Sequence, residues 1–222
     1  MEALIILLKK PTYVFIVMAQ TLLFFLISGV QYWCVHYLEN VLGATKGEII
    51  MYFVFTCLTA PIFGGIFASW LTNKLGGYES NKILPAAVLG SLIAALGCLP
   101  IPFITNYHVA IMCFWVCLFA GVFLFPVLTG VMLCDMEPHL KEHSNSYAYL
   151  SFNLFGFLPA PTLYGYANSF DVGNETKSNY GMILILWSVI PISLCTIMVW
   201  LLRDNKHYQN LDSPCRLDEG TD

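Results

Sequence analysis

Six stretches of this 222-residue chain, at 12–37, 48–72, 83–104, 107–134, 146–169 and 179–202, are apolar and hold no Lys or Arg. Glu48 and Asp135 stand only at their ends. A hydrocarbon core about 30 Å thick takes roughly 20 apolar residues as a helix. A helix also satisfies its own backbone N–H and C=O groups, which lipid cannot do. A transmembrane barrel would instead show short segments of alternating polarity. The sequence therefore predicts an all-α integral membrane protein, six transmembrane helices forming one bundle over residues 11–203. Composition agrees: 58% of residues are hydrophobic and 11% charged, against roughly 25% charged in a soluble domain.

Punctuation sets the boundaries. Pro11 and Pro85 stand where a helix can begin without losing a hydrogen bond. Leu38 to Gly47, Asn73 to Lys82, Thr105–Asn106, Asp135 to Asn145 and Asp171 to Asn179 read as loops. Residues 1–10 place an apolar stretch before Lys9 and Lys10. A signal peptide has the reverse order, so the segment reads as a short interfacial helix. Residues 204–222 are acidic and aperiodic, the composition of a disordered cytosolic tail.

Six crossings put both termini on one side. That side carries Lys9, Lys10, Lys74, Lys82, Lys141, Arg203, Lys206 and Arg216, and the other carries Lys46 and Lys177. The positive-inside rule then puts both termini in the cytosol. The sequon Asn174-Glu175-Thr176 falls in the last outside loop, so Asn174 is the expected glycosylation site. Plasma and endolysosomal membranes both stay open.

Polar residues inside the spans need a reason. Gln20 and Gln31 are eleven residues apart and share one helical face at about 100° per residue. Gln31 reads equally as cavity-lining or as a helix–helix contact. Gln20 reads as a hydrogen bond between helices, and His36 as an interfacial residue. In the fifth stretch Ser146, Tyr149 and Asn153 recur at helical spacing, beside a second stripe of Tyr147 and Ser151. Gly156, Pro159 and Pro161 follow, and two mid-helix prolines remove hydrogen bonds and break the ladder. Broken helices at mid-membrane point to transporter binding sites. Gly64, Gly65, Ala68 and Ser69 read as a packing stripe.

Seven cysteines (Cys34, Cys57, Cys98, Cys113, Cys117, Cys134 and Cys195) lie in or beside apolar stretches and read as reduced core residues. His139 and His143, one turn apart in a loop of mixed charge, read as surface histidines rather than metal ligands. No nucleophile–base pair, metal cluster or phosphate loop can be assembled, so neither an enzyme nor a metal or other cofactor is expected. No basic cluster suits nucleic acid. The spans hold no Asp, Glu, Lys or Arg at depth, so no coupling site is visible.

From Met136 to Gly165 stand Pro138, Lys141, Asn145, Gly156, Pro159, Pro161 and Gly165. This block resembles the major facilitator superfamily, in its spinster-like and organic-anion-transporter-like branch. That branch carries a Pro-acid-x-basic turn, a small/polar helix, then Gly-x-x-Pro-x-Pro and a closing Gly. Leu8 to Phe15 is similar to the start of the family's seventh helix, and Gln31-Tyr32-Trp33 to Leu38 to its Trp-containing end. Asn73-Lys74-Leu75-Gly76 stands where the superfamily has Asp-Arg-x-Gly. Asn73 thus replaces an acid, Lys74 an Arg, and His139 another acid.

The resemblance implies a major-facilitator-type fold, with this chain as the C-terminal six-helix half of a twelve-helix transporter. The substrate would lie between the halves near the midplane. Gln31 and Asn153 would line the cavity, Trp33 and Tyr149 would stack on the solute, and Gly156, Pro159 and Pro161 would form the helix break or gate. Asn73, Lys74 and Gly76 would be the cytosolic loop signature. The expected function is alternating-access transport of a small organic solute, lipid-like or anionic. Expected partners are membrane lipids, the solute and a second six-helix half or homodimer partner. The alternative is a non-transporting structural subunit of a larger membrane complex.

Overall fold

The computed structural model describes residues 2–80, 82–169 and 180–212. Asn174, the expected glycosylation site, lies outside the described residues, as do residues 213–222. Among the described residues the chain is helical and no strand forms. A short helix α1 (Glu2–Leu8) leads into α2 (Pro11–Asn40), α3 (Lys46–Lys74), α4 (Ile83–Cys98) and α5 (Tyr107–Cys134). The fifth apolar stretch forms α6 (Lys141–Ser151), a π-helical turn (Phe152–Phe157) and α7 (Pro159–Ser169). The last forms α8 (Tyr180–Leu186) and α9 (Val189–Asp212).

Five helical segments are long and apolar enough to cross a membrane: Pro11–Asn40, Lys46–Lys74, Ile83–Phe103, Tyr107–Cys134 and Tyr180–Asp204. The fifth stretch, expected as one crossing over 146–169, is not an unbroken α-helix. Two prolines cause this, and a third, Pro191, accounts for the step between α8 and α9. There Ile190 N–H bonds Trp187 O at 3.0 Å, a tightened turn just before the proline. Pro61 and Pro126 have a milder effect, since α3 and α5 run through them. The tail also differs from expectation. Helix α9 continues to Asp212, so residues 204–212 are helical.

The helix ends follow local chemistry. Pro11 opens α2 at a position where no N–H is needed. Thr45 and Glu48 form a capping box on α3, with Thr45 N–H donating to Glu48 Oε2 at 3.0 Å. Asn106 Oδ1 accepts from His108 N–H at the start of α5. Helix α3 ends in a Schellman turn: Gly77 N–H bonds Thr72 O at 2.9 Å and Gly76 N–H bonds Asn73 O at 3.3 Å. Gly76 sits at φ 91°, a left-handed conformation that L side chains avoid.

Helix α5 packs against α3, α4 and α2. Helix α2 also packs against α9 and the π-helical rod. Their shared core includes Ile16, Leu23, Val30, Phe114, Leu124, Leu128 and Val131. Lipid gives helices little hydrophobic reason to associate, so close packing and hydrogen bonds carry the work. Gly64 and Ala68 bury the α3 stripe against α5, where a Cβ on Gly64 would strike Phe119 O. Gly65 and Ser69 face away. Side-chain bonds tie the helices pairwise: Trp115 Nε1 to Thr59 Oγ1 at 3.0 Å, Ser193 Oγ to Ser91 O at 3.2 Å, and Tyr37 OH to Ile101 O at 3.1 Å. Helix α3 is the most peripheral, and Ile50, Phe55, Leu58, Ile62 and Ile66 point outward from it.

Candidate functional site

Helix α2 meets the rod from α6 to α7 along its length, and Ser28, Gln31 and Asn153 stand along that contact. The rod changes register because prolines cannot donate. Leu158 N–H bonds Asn153 O at 3.1 Å, one residue further back than in an α-helix. Pro161 leaves Phe157 O without its usual partner four residues on. Ser28 Oγ on α2 donates to that carbonyl at 2.9 Å. A polar side chain on one helix thus completes the broken ladder of another. Immediately before Phe157, Gly156 lies flat against α2, where a Cβ would strike Thr21 O.

The sequence candidates divide into two groups. Gln31 is exposed and makes no hydrogen bond. It lines an open depression of about 380 Å³ with Ser28, Tyr32, Phe157, Leu158 and Pro161. Tyr149 is also exposed, with its ring edge-on to Phe152 at 5.1 Å. The other two candidates are engaged internally. Trp33 stacks on Tyr164 at 4.4 Å and donates from Nε1 to Pro161 O at 3.1 Å, so it braces α7 rather than lining the depression. Asn153 donates from Nδ2 to Tyr149 O at 2.8 Å within its own helix. His36 is exposed and edge-on to Trp33.

Sequence reasoning missed an aromatic junction beside these groups. Phe24 of α2 stacks on Phe152 at 4.2 Å and meets Phe125 of α5 edge-on at 5.2 Å. One turn along the same two helices, Gln20 Nε2 donates to Thr129 Oγ1 at 2.8 Å. Thr129 gives its single proton to Phe125 O at 2.9 Å, which fixes the amide orientation. Gln20 is 1% exposed and its Oε1 has no partner. The face shared by Gln20 and Gln31 was visible in the sequence; Thr129 and Phe125 gave no signal.

The rod's other flank forms an apolar groove of about 390 Å³ against α1 and α2, with Tyr147 and Ser151 contributing hydroxyls beside Tyr13 and Thr21. Of the two stripes expected on the fifth stretch, Tyr147 and Ser151 line this groove, while Ser146, Tyr149 and Asn153 line neither it nor the depression at Gln31.

Charged groups collect at the end of the bundle that holds the α3–α4 and α5–α6 loops. Arg203 Nε lies 3.4 Å from Asp135 Oδ1, with the side chains only 13% and 25% exposed. Its Nη1 donates to Tyr78 O at 3.1 Å. Lys10 pairs with Glu137 at 3.7 Å, and Tyr13 OH donates to Ser144 O at 3.0 Å. Lys74 Nζ sits 4.9 Å over the Trp70 ring. Asn73 and Gly76 serve the Schellman turn. His139 is exposed beside Glu137, and His143 stacks on Tyr147. Among the described residues no three His, Cys, Asp or Glu side chains gather as metal ligands.

No family model matches the chain, and no curated protein matches it.

Proposed function

We propose that the chain is a six-crossing half-bundle of an alternating-access transporter, with the rod from α6 to α7 as the sixth crossing. The reading keeps the resemblance to the spinster-like and organic-anion-transporter-like branch of the major facilitator superfamily. The solute is a small organic molecule, lipid-like or anionic. It passes along the α2–rod face while this bundle rocks against a second six-helix unit or a second copy.

One observation carries the proposal. Gln31 stands in an open depression without a hydrogen bond, beside a helix whose ladder Pro161 has opened. A polar group in lipid is costly unless it meets water, protein or solute. Interrupted helices at mid-depth are where transporters place binding groups. The gathering of Lys10, Lys74, Asp135, Glu137 and Arg203 at one end supports cytosolic termini.

The test is flux through proteoliposomes holding the purified protein, alone and with a candidate second half, over a panel of organic anions and lysolipid-like amphiphiles. Gln31→Leu is expected to cut flux at least tenfold while leaving the thermal midpoint unchanged, because the amide has no internal partner. Flux absent in every combination sinks the proposal. A stoichiometric protein covering the Gln31 face in the native complex would favour the structural-subunit reading instead. An N-terminal tag reached from outside intact cells would reverse the sidedness.

A further inference from the structure

Cys98 is the last residue of α4, and Cys117 lies inside α5. Their sulfurs are 2.8 Å apart, with both side chains at most 2% exposed. Both are thiols in this structure. Sulfurs on neighbouring spans seldom come so close, because packed helices usually lie 8–10 Å apart axis to axis. Here the backbone explains the approach. A Cβ on Gly97 would stand only 3.2 Å from Cys113 O and 3.3 Å from Cys117 N, so α4 and α5 nearly touch at this level. Gly90 repeats the close contact two turns earlier, against the Phe123 ring. The two side chains therefore converge where α4 and α5 pack closely, as a disulfide requires.

We propose that Cys98 and Cys117 form a disulfide that clamps α4 to α5. It would sit within the spans, in the half of the bundle away from Arg203 and Asp135, on the side of the oxidising face in the sidedness given above. The oxidant is a disulfide donor of the oxidoreductase or glutathione class. The Cys98 thiol loses its proton and attacks one donor sulfur, and the donor's other sulfur leaves as a thiolate. Cys117, likewise deprotonated, attacks the Cys98 sulfur and expels the remaining donor thiolate. One S–S bond forms and one breaks, two electrons pass to the donor, and the two protons end on its thiolates. A bulky donor cannot reach so buried a pair, so the exchange takes place during folding, before α4 and α5 close.

The test uses the full chain in its native membrane. Thiols are blocked with N-ethylmaleimide in SDS without reductant, then the sample is reduced and labelled with a second alkylating agent. Chymotrypsin replaces trypsin, since neither span holds Lys or Arg. It also cuts between Cys113 and Cys117, at Phe114 and Trp115. The expected result is the second label on Cys98 and Cys117, with the first label on Cys34 and Cys113. First label on both Cys98 and Cys117 overturns the proposal and leaves a thiol–thiol hydrogen bond. A Cys98–Cys113 link overturns it too. As a second readout, reductant lowers the thermal midpoint of the unmodified protein but not that of Cys98→Ser; equal shifts in both would count against the bond. Neither readout depends on flux, so the transport proposal and this one fail separately.

Discussion

The hydrogen bond from Gln20 to Thr129 yields an asymmetric prediction. Gln20 makes one bond, to Thr129 Oγ1, and leaves Oε1 orphaned in a site that is 1% exposed. Interhelical side-chain bonds in membranes contribute about 0.6 kcal/mol on average and about 1.7 at most. An unsatisfied buried polar atom costs about 1–3 kcal/mol. Gln20→Met keeps the length of the side chain and removes both terms. The expected net effect is a stabilisation of about 1 kcal/mol, the difference between the orphan and the lost bond. Thr129→Val is also nearly isosteric, but it strands the whole amide, so it should destabilise by about 1–3 kcal/mol. In the Gln20→Met background Thr129→Val should cost under ~0.5 kcal/mol, because the amide it would strand is gone. Reversible unfolding in mixed micelles titrated with SDS, followed by tryptophan fluorescence, measures all four corners. Gln20→Met destabilising by more than about 1 kcal/mol would refute the reasoning, since Oε1 must then have a partner worth at least that much.

Two further perturbations probe the rod. Ser28→Ala should destabilise by about 1 kcal/mol in the native background, because Phe157 O loses its donor; in the Pro161→Ala background the backbone N–H restored at that position takes the carbonyl, so the serine becomes dispensable and a double-mutant cycle in the same assay reads the coupling. Gly156→Ala should cost about 1–3 kcal/mol, because its methyl meets Thr21 O, a backbone atom that yields only if α2 and the rod part; a neutral Gly156→Ala in the same titration would place the rod further from α2.

The elements were legible where one segment decides its own structure. Six apolar stretches without Lys or Arg announce spans, of which five form helices long and apolar enough to cross a membrane, and Pro11 announces a helix start, since it works through backbone groups within a few residues. The faces were less legible. In a soluble helix polarity marks the exposed side, but in these spans lipid-facing and core-facing residues are both apolar. Leu58 points out and Leu124 is fully buried, and nothing in their identity separates them. Intramembrane polar residues therefore carried the site reading, and they were ambiguous because a membrane amide has two ways to be satisfied. Gln31 and Asn153 looked alike in sequence. Asn153 satisfies itself on Tyr149 O four residues back, while Gln31 has no internal partner.

The prolines sharpen the same point. Pro61, Pro126, Pro159, Pro161 and Pro191 each remove one N–H inside an apolar stretch, yet only the last three interrupt a helix. The missing bond is the same at each, so the difference lies in what surrounds the freed carbonyl. At Pro161 a hydroxyl on the neighbouring helix takes it, which stabilises the open ladder instead of forcing it closed. The break is then a property of two helices, Ser28 on one and Pro161 on the other, separated by more than a hundred residues. That coupling also ties the position of α2 to the geometry of the rod. A movement of α2 away from the rod would strand Phe157 O and bare the depression beside Gln31 in one step.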